Sequence, residues 1–332
     1  MTGNEGGASS TPTVRAGIRA ASTHSATSVP VNAENRVLLD ANDGAHSGTT
    51  HRPWRQTRQP IRDISALAKQ LGERDWSILR SVATHRFLTV RQIQALQFGE
   101  LPEASGLRAA QRVLARLHDQ RLLSRLAQRI GGIQAGSSGL VYYIDDVGER
   151  LLRFDSGGSA RRRFHEPTRR FLDHQLAIAD VHVALVQADR QEQVELLKCD
   201  IEPTAWRQYV GMGGARLTLK PDLYAETAAP PGNEYVDSCF IEVDMGTESI
   251  PTLVKKCREY EAYRRLGIEQ DRNDGAFPAV VWSMTASDPS KAERRRQALR
   301  QAIDADRNLR NDLFRIIAPN ELVPLMQQGC QL

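Results

Sequence analysis

The sequence predicts an α/β chain, α+β overall, with an N-terminal winged helix-turn-helix followed by a mixed sheet flanked by helices. Three observations carry this. Amphipathic stretches between Glu73 and Leu126 are followed by two short β-like stretches, the element order of a winged helix. From residue 171 a helix, three strands, a helix, a strand, a helix and a strand follow, which requires crossover connections and hence a mixed sheet. The chain's 332 residues suffice for two domains of ordinary size plus tails.

Residues 1–64 are rich in Ser, Thr, Ala, Gly, Asn and Arg without lasting periodicity, and read as a disordered arm. Arg52, Arg55, Arg58 and Arg62 make its end basic, either as a phosphate-contacting arm or as a solvated linker. The first unit spans 65–158. ERDWSILRSVATHRFLT places Trp76, Ile78, Leu79, Val82 and Phe87 at helical spacing. VRQIQALQF is a second helix, capped by Thr89. A loop with Pro102 and Gly106 precedes a long third helical region over 107–126, striped by Leu107, Ala110, Val113, Leu114 and Leu117. LAQRIGG and GLVYYIDD are two strands around a Gly/Ser turn, closed by a short helix.

In a winged helix the third helix enters the major groove and the hairpin lies over the backbone. Arg108, Gln111, Arg112 and Arg116 share one helical face and are the DNA-facing candidates, with Arg129 and the Gly131–Gly139 loop as the wing. The competing reading is a winged helix used only for protein contact or dimerisation. Residues 159–170 form a basic linker in which Arg161, Arg162 and Arg163 are further candidates for phosphate contact.

The second unit spans 171–322, with 323–332 as a tail. FLDHQLAIADVHVALVQAD is a helix striped by Leu172, Leu176, Ala179, Val183 and Val186. VELLKCDIE, ARLTLKPDLYAET and YVDSCFIEVDMGT are strands, the last two joined by a turn with Pro230, Pro231 and Gly232. IPTLVKKCREYEAYRRLG is a helix with Pro251 in its first turn. FPAVVWSMTA is a buried strand, SKAERRRQALRQAIDA a surface helix and LFRIIAP a final strand.

Composition excludes more than it selects. A net charge of +4 is weak support for a nucleic-acid partner, although arginine outnumbers lysine and suits phosphate recognition. The four cysteines, at 199, 239, 257 and 330, lack metal-ligand or disulfide-framework spacing. No signal peptide and no apolar run long enough to span a membrane is seen, so a cytoplasmic location is expected. Neither HxH nor HExxH occurs, which argues against a zinc hydrolase, and there is no Walker A motif.

The chemistry concentrates between Lys220 and Tyr263. Asp222 follows Pro221 in a strand, and Glu242 and Asp244, two apart on another, share the face opposite Ile241 and Val243. If the two strands pair, the three carboxylates meet and would bind Mg²⁺ or Mn²⁺, which activates water and neutralises charge on a phosphate. A lysine in reach would stabilise the pentavalent state. Lys256 and Tyr260, four apart on the next helix, face the same way, whereas Lys255 points elsewhere. A salt-bridged rim on an ordinary sheet is the competing reading. Tyr263 and Glu248 could complete the rim; His174 could approach it from the preceding helix, although a solvated surface histidine is the main reading.

KPD at 220–222, E-x-D-x-GTE at 242–248 and L-x-x-K-x-x-x-Y at 253–260, in this order of elements, resemble the PD-(D/E)xK nuclease superfamily. Within it, the chain resembles, over roughly 70–320, the replication-relaxation family of actinobacterial and firmicute plasmids and mobile elements. That resemblance implies a restriction-endonuclease-like second domain, with Asp222 and Glu242 as the two acids. Asp244 stands where the superfamily has lysine, so Lys256 is the substitute. The implied activity is Mg²⁺-dependent nicking or cleavage of double-stranded DNA alongside replication or transfer proteins, with a homodimer compatible. The alternatives are a non-catalytic scaffold or a winged-helix transcriptional regulator.

Overall fold

The computed structural model describes residues 18–19, 63–129, 139–157, 164–211 and 213–330. Most of the basic arm, most of the wing loop, Arg161, Arg162, Arg163 and the side chain of Arg129 lie outside the described residues. Strand β1 (Ile18–Arg19) is a two-residue antiparallel pair against Tyr235 and Val236.

The first domain contains α1 (Ile64–Gln70), α2 (Glu73–His85), β2 (Leu88–Thr89), α3 (Val90–Gln97), α4 (Glu103–Asp119), β3 (Leu123–Arg129), β4 (Leu140–Ile144) and α5 (Asp146–Ser156). The three strands form one antiparallel sheet in the order β2-β4-β3. This is the predicted winged helix-turn-helix. Thr89 caps α3 reciprocally with Gln92: its hydroxyl accepts from the Gln92 N–H at 3.2 Å, and Gln92 Oε1 accepts from the Thr89 N–H at 2.9 Å.

Three boundaries differ from the sequence expectation. Helix α2 stops at His85, where Arg86 takes a positive φ of 67°, so Phe87 lies beyond it and Leu88–Thr89 form a strand. Helix α4 starts at Glu103, so Gly106 lies inside it. A Cβ there would stand 3.2 Å from the Phe98 carbonyl, so the glycine serves a close approach to the end of α3 and not a turn. The same helix stops at Asp119. Arg121 takes a positive φ of 61°, and the leucine-rich continuation becomes β3. Leu122 and Leu123 are neighbours and both fully buried, which an amphipathic helical continuation does not require.

Helix α6 (Arg169–Arg190) begins at Thr168, whose hydroxyl accepts from the Phe171 N–H. It belongs to both domains. Ala179, Val183 and Val186 pack into the winged-helix core, whereas Ile178, Val181 and Leu185 pack against the large sheet. Polar contacts line the joint. Gln92 Nε2 donates to the Leu176 carbonyl at 2.9 Å and to Asp180 at 2.6 Å. The Arg190 guanidinium donates to the carbonyls of Ala95 and Leu96 at the end of α3.

His85 and His182 stack across this joint, with centroids 5.1 Å apart and Nε2 of His85 3.0 Å from Nδ1 of His182. His85 Nδ1 lies 2.8 Å from the Ser81 carbonyl and so carries the proton; Nε2 then accepts from His182. This chain requires His85 to be neutral, and burial disfavours charge on either ring. Burial lowers both pKa values, that of His182 to about 4 with help from His85. Since the folded values lie below the unfolded 6.5, this stabilisation is complete above pH 6.5 and is lost as pH falls toward 4. The thermal midpoint should therefore fall between pH 7 and pH 5. A His85→Phe/His182→Leu variant should flatten that limb; an unchanged slope would refute the assignment.

The second domain contains β5 (Glu195–Ile201), β6 (Arg207–Val210), β7 (Arg216–Leu219), β8 (Leu223–Ala228), β9 (Tyr235–Asp244), α7 (Ile250–Arg264), β10 (Ala279–Met284), α8 (Pro289–Ala305), β11 (Phe314–Ile317) and α9 (Leu322–Gln328). Its sheet has the order β11-β10-β9-β8-β5. The β5-β8 and β8-β9 pairs are antiparallel; β9-β10 and β10-β11 are parallel. This is the expected mixed sheet flanked by helices. Alternate strand residues feed two cores. Cys239, Ile241 and Val243 face α6 and α9, and Phe240 faces α7 and α8.

The segment expected as one strand through Asp222 is divided. Strand β7 ends at Leu219, β8 starts at Leu223, and Asp222 sits in the short link between them. Strands β6 and β7 form a separate two-stranded ribbon. Residues 323–328, expected within a tail, belong to α9, which buries Leu325 and Met326 against the sheet.

Candidate active site

Three elements converge at the end of β9. Leu223 pairs with Ile241 in the β8-β9 ladder, which brings the preceding Asp222 beside Val243. Asp222 Oδ2 accepts the Val243 N–H at 2.8 Å. Glu242 projects to the side of the sheet covered by α7. There Lys256 Nζ donates to Oε2 at 2.5 Å, and the Tyr260 hydroxyl donates to Oε1. The four-residue spacing of Lys256 and Tyr260 places both on one carboxylate, as their shared helical face requires. Helix α7 is set by the Ser249 cap and by Pro251 in its first turn.

Asp244 takes different partners. Its Oδ2 accepts from Arg295 of α8 at 2.7 and 3.2 Å, and its Oδ1 accepts the Gly246 N–H at 3.1 Å. The three acids are thus not a bare cluster. Among the described residues, no group of three or more His, Cys, Asp or Glu side chains is arranged to hold a metal ion. Asp222 and Glu242 remain as two carboxylates on the wall of a cleft of about 790 Å³, which Asp244 and Lys256 also line.

His174 corrects the expectation of a solvated surface residue. From α6 its Nε2 lies 3.1 Å from the Val243 carbonyl and 3.5 Å from Asp222 Oδ2, and it lines the cleft. Tyr263 corrects in the other direction: it is buried against Phe277 and Tyr209, its hydroxyl donates to Glu269 at 2.7 Å, and it does not line the cleft. Glu248 is at the rim, 3.8 Å from Arg170. Arg295 was not legible in advance. It stands in a run of three arginines on a helix that reads as surface, and only the packing of α8 selects it.

The electrostatics follow from burial and pairing. Burial pushes Glu242 up to about 8, even with the Lys256 ammonium in contact. Burial opposes the charge on Lys256, but Glu242 and Asp222 outweigh it and hold the ammonium above its ordinary range. For Asp222 burial is outweighed by His174, Lys256 and the Val243 N–H, so its carboxyl is lowered. His174 is raised, because Asp222 and the Val243 carbonyl overcome its desolvation.

On α4, Arg108 and Arg112 are exposed, and Gln111 is half-buried. Arg116 instead donates to the buried Asp75 of α2 at 2.5 Å, so the last arginine of the expected stripe braces the domain.

The replication-relaxation family profile matches residues 79–280, more than half of the chain, from within α2 to the start of β10. The chain belongs to the replication-relaxation family. Membership ties its function to plasmid or mobile-element replication or transfer. No curated protein and no solved structure matches the chain. Among the described residues, no helix of this family member is long and apolar enough to cross a membrane.

Proposed function

We propose that this replication-relaxation protein binds DNA through its winged helix and nicks or cleaves it in the cleft of Asp222, Glu242 and Lys256. One observation carries the reading: Lys256 reaches from α7 onto Glu242 and lines the same cleft as Asp222. It is the lysine that the sequence offers in place of the strand lysine, whose position Asp244 takes. The exposed Arg108 and Arg112 on α4 support DNA as the partner.

Two carboxylates are a fitting donor set for Mg²⁺ or Mn²⁺, hard ions that keep several waters and take one or two protein oxygens plus substrate phosphate. Asp222 and Glu242 would hold the ion, which when bound supplies charge neutralisation and an activated water. Asp244, held by Arg295, braces the loop behind them. Lys256 presents a permanent positive charge to the phosphate, and Tyr260 fixes the Glu242 carboxylate. His174, anchored on the Val243 carbonyl, orients Asp222.

The full chain should convert supercoiled plasmid to nicked or linear product with Mg²⁺ or Mn²⁺. Asp222→Asn and Glu242→Gln should lower the rate by about 100-fold or more while retaining the gel shift. A second reading, a non-catalytic DNA-binding scaffold, is favoured by the pairing of each acid with a basic side chain of the protein: Asp222 with His174, Glu242 with Lys256, Asp244 with Arg295. DNA binding without conversion under either metal would select it.

A further inference from the structure

Beside the cleft lies an aromatic surface that no step of the proposed cleavage uses. Phe164 stacks on Tyr143 of the wing strand β4, with centroids 4.0 Å apart and planes within 13°. Tyr143 meets Phe87 edge-on at 6.3 Å, and Phe87 meets Phe171 of α6 at 6.4 Å. The run thus crosses from the winged helix to the mouth of the cleft. Phe164 is 46 % exposed and Phe171 38 %, an unusual cost for large apolar rings. Arg86 lies over the Phe171 ring at 5.8 Å.

Cations border the rings. Arg169 and Arg170 precede Phe171, and all three line the cleft. Arg86 lies 3.8 Å from the half-buried Glu202, whereas the present partners of Arg169 and Arg170 are surface carboxylates: Asp173, and Glu248 at 3.8 Å. Such exposed pairs contribute little and exchange readily for phosphate. Flat exposed rings flanked by arginine, continuous with a phosphodiester-sized cleft, have the chemistry of a stacking platform for unpaired bases. A base-paired duplex offers no free base faces to such rings.

We propose that Phe164, backed by the half-buried Tyr143, and Phe171 stack the bases of a single-stranded DNA segment leading into the cleft, so that the substrate is locally unpaired DNA. This rests on the proposed function for its cleft, but binding tests it apart from cleavage.

The experiment is fluorescence anisotropy with the full chain, using labelled oligothymidylate and a duplex of equal length. Phe164→Ala should weaken oligothymidylate binding about tenfold and leave duplex affinity within about twofold. Phe171→Ala should do the same, and Phe164→Trp should retain affinity, with its fluorescence quenched on adding the oligonucleotide. The exposed position of Phe164 guards against loss of fold. Wild-type affinity in both alanine variants, or equal loss for duplex and single strand, would overturn the platform. A change confined to oligomeric state would assign this face to a second copy and also overturn it. Duplex binding without oligothymidylate binding would defeat the platform alone; no binding to either would defeat the DNA reading itself.

Discussion

Lys256→Met should abolish strand cleavage and destabilise the second domain, more strongly at alkaline than at acidic pH. The variant removes the ammonium from Glu242, which is 1 % exposed, and leaves only the Tyr260 hydroxyl in contact. Breaking a buried pair costs about 3–5 kcal/mol when the orphaned charge cannot neutralise itself. Glu242 can, by taking up a proton. Its folded pKa, about 8, is already above the unfolded value of 4.5. The stabilisation due to its protonated form is therefore full below pH 4.5 and lost as pH rises through the folded value. Without Lys256 that value rises further, so the decline extends to higher pH. Urea unfolding at about pH 6 and about pH 9 should show the larger deficit at the higher pH. Glu242→Gln on the same background should erase the difference while leaving cleavage absent. Wild-type cleavage in Lys256→Met would remove the lysine from the proposed site.

Arg295→Met should cost about 3–5 kcal/mol of stability, because it strands a carboxylate whose side chain is only 2 % exposed. Asp244 would keep the Gly246 N–H and lose both guanidinium bonds. Asp244→Asn in the same chain should recover much of the loss, and a double-mutant cycle should give a coupling of about 1–3 kcal/mol. The pair also separates two roles for Asp244. As a brace, the Asp244→Asn/Arg295→Met variant should cleave at a rate near wild type once folded. Complete loss of cleavage in that variant, with a native thermal midpoint, would make Asp244 part of the reaction centre.

The sequence disclosed what local periodicity and neighbouring residues determine. The winged-helix order, the Thr89 cap and the two-residue separation of Glu242 from Asp244 could all be read directly. The joint placement of Lys256 and Tyr260 followed from one helical turn. What it concealed depends on contacts between distant segments. His174 looks like any polar residue on a helix until α6 is laid against β9, and Arg295 is indistinguishable from Arg294 and Arg296 until α8 packs. The end of α4 misled because LLSRL fits both a helical stripe and a buried strand, and only pairing with β4 decides. Asp222 was misplaced for a similar reason: Pro221 interrupts a run whose hydrophobic alternation continues on both sides.

A 22-residue helix measures about 33 Å, and in this protein that length acts as a ruler. A reader and a cutter tethered by flexible chain would let the cut wander within the tether's reach. Here one rigid rod is embedded in both parts, clamped by Arg190 at one end and carrying His174 near the other. On the proposed function, the distance from the recognised sequence to the broken bond is thus a property of the protein's skeleton, fixed before any DNA arrives.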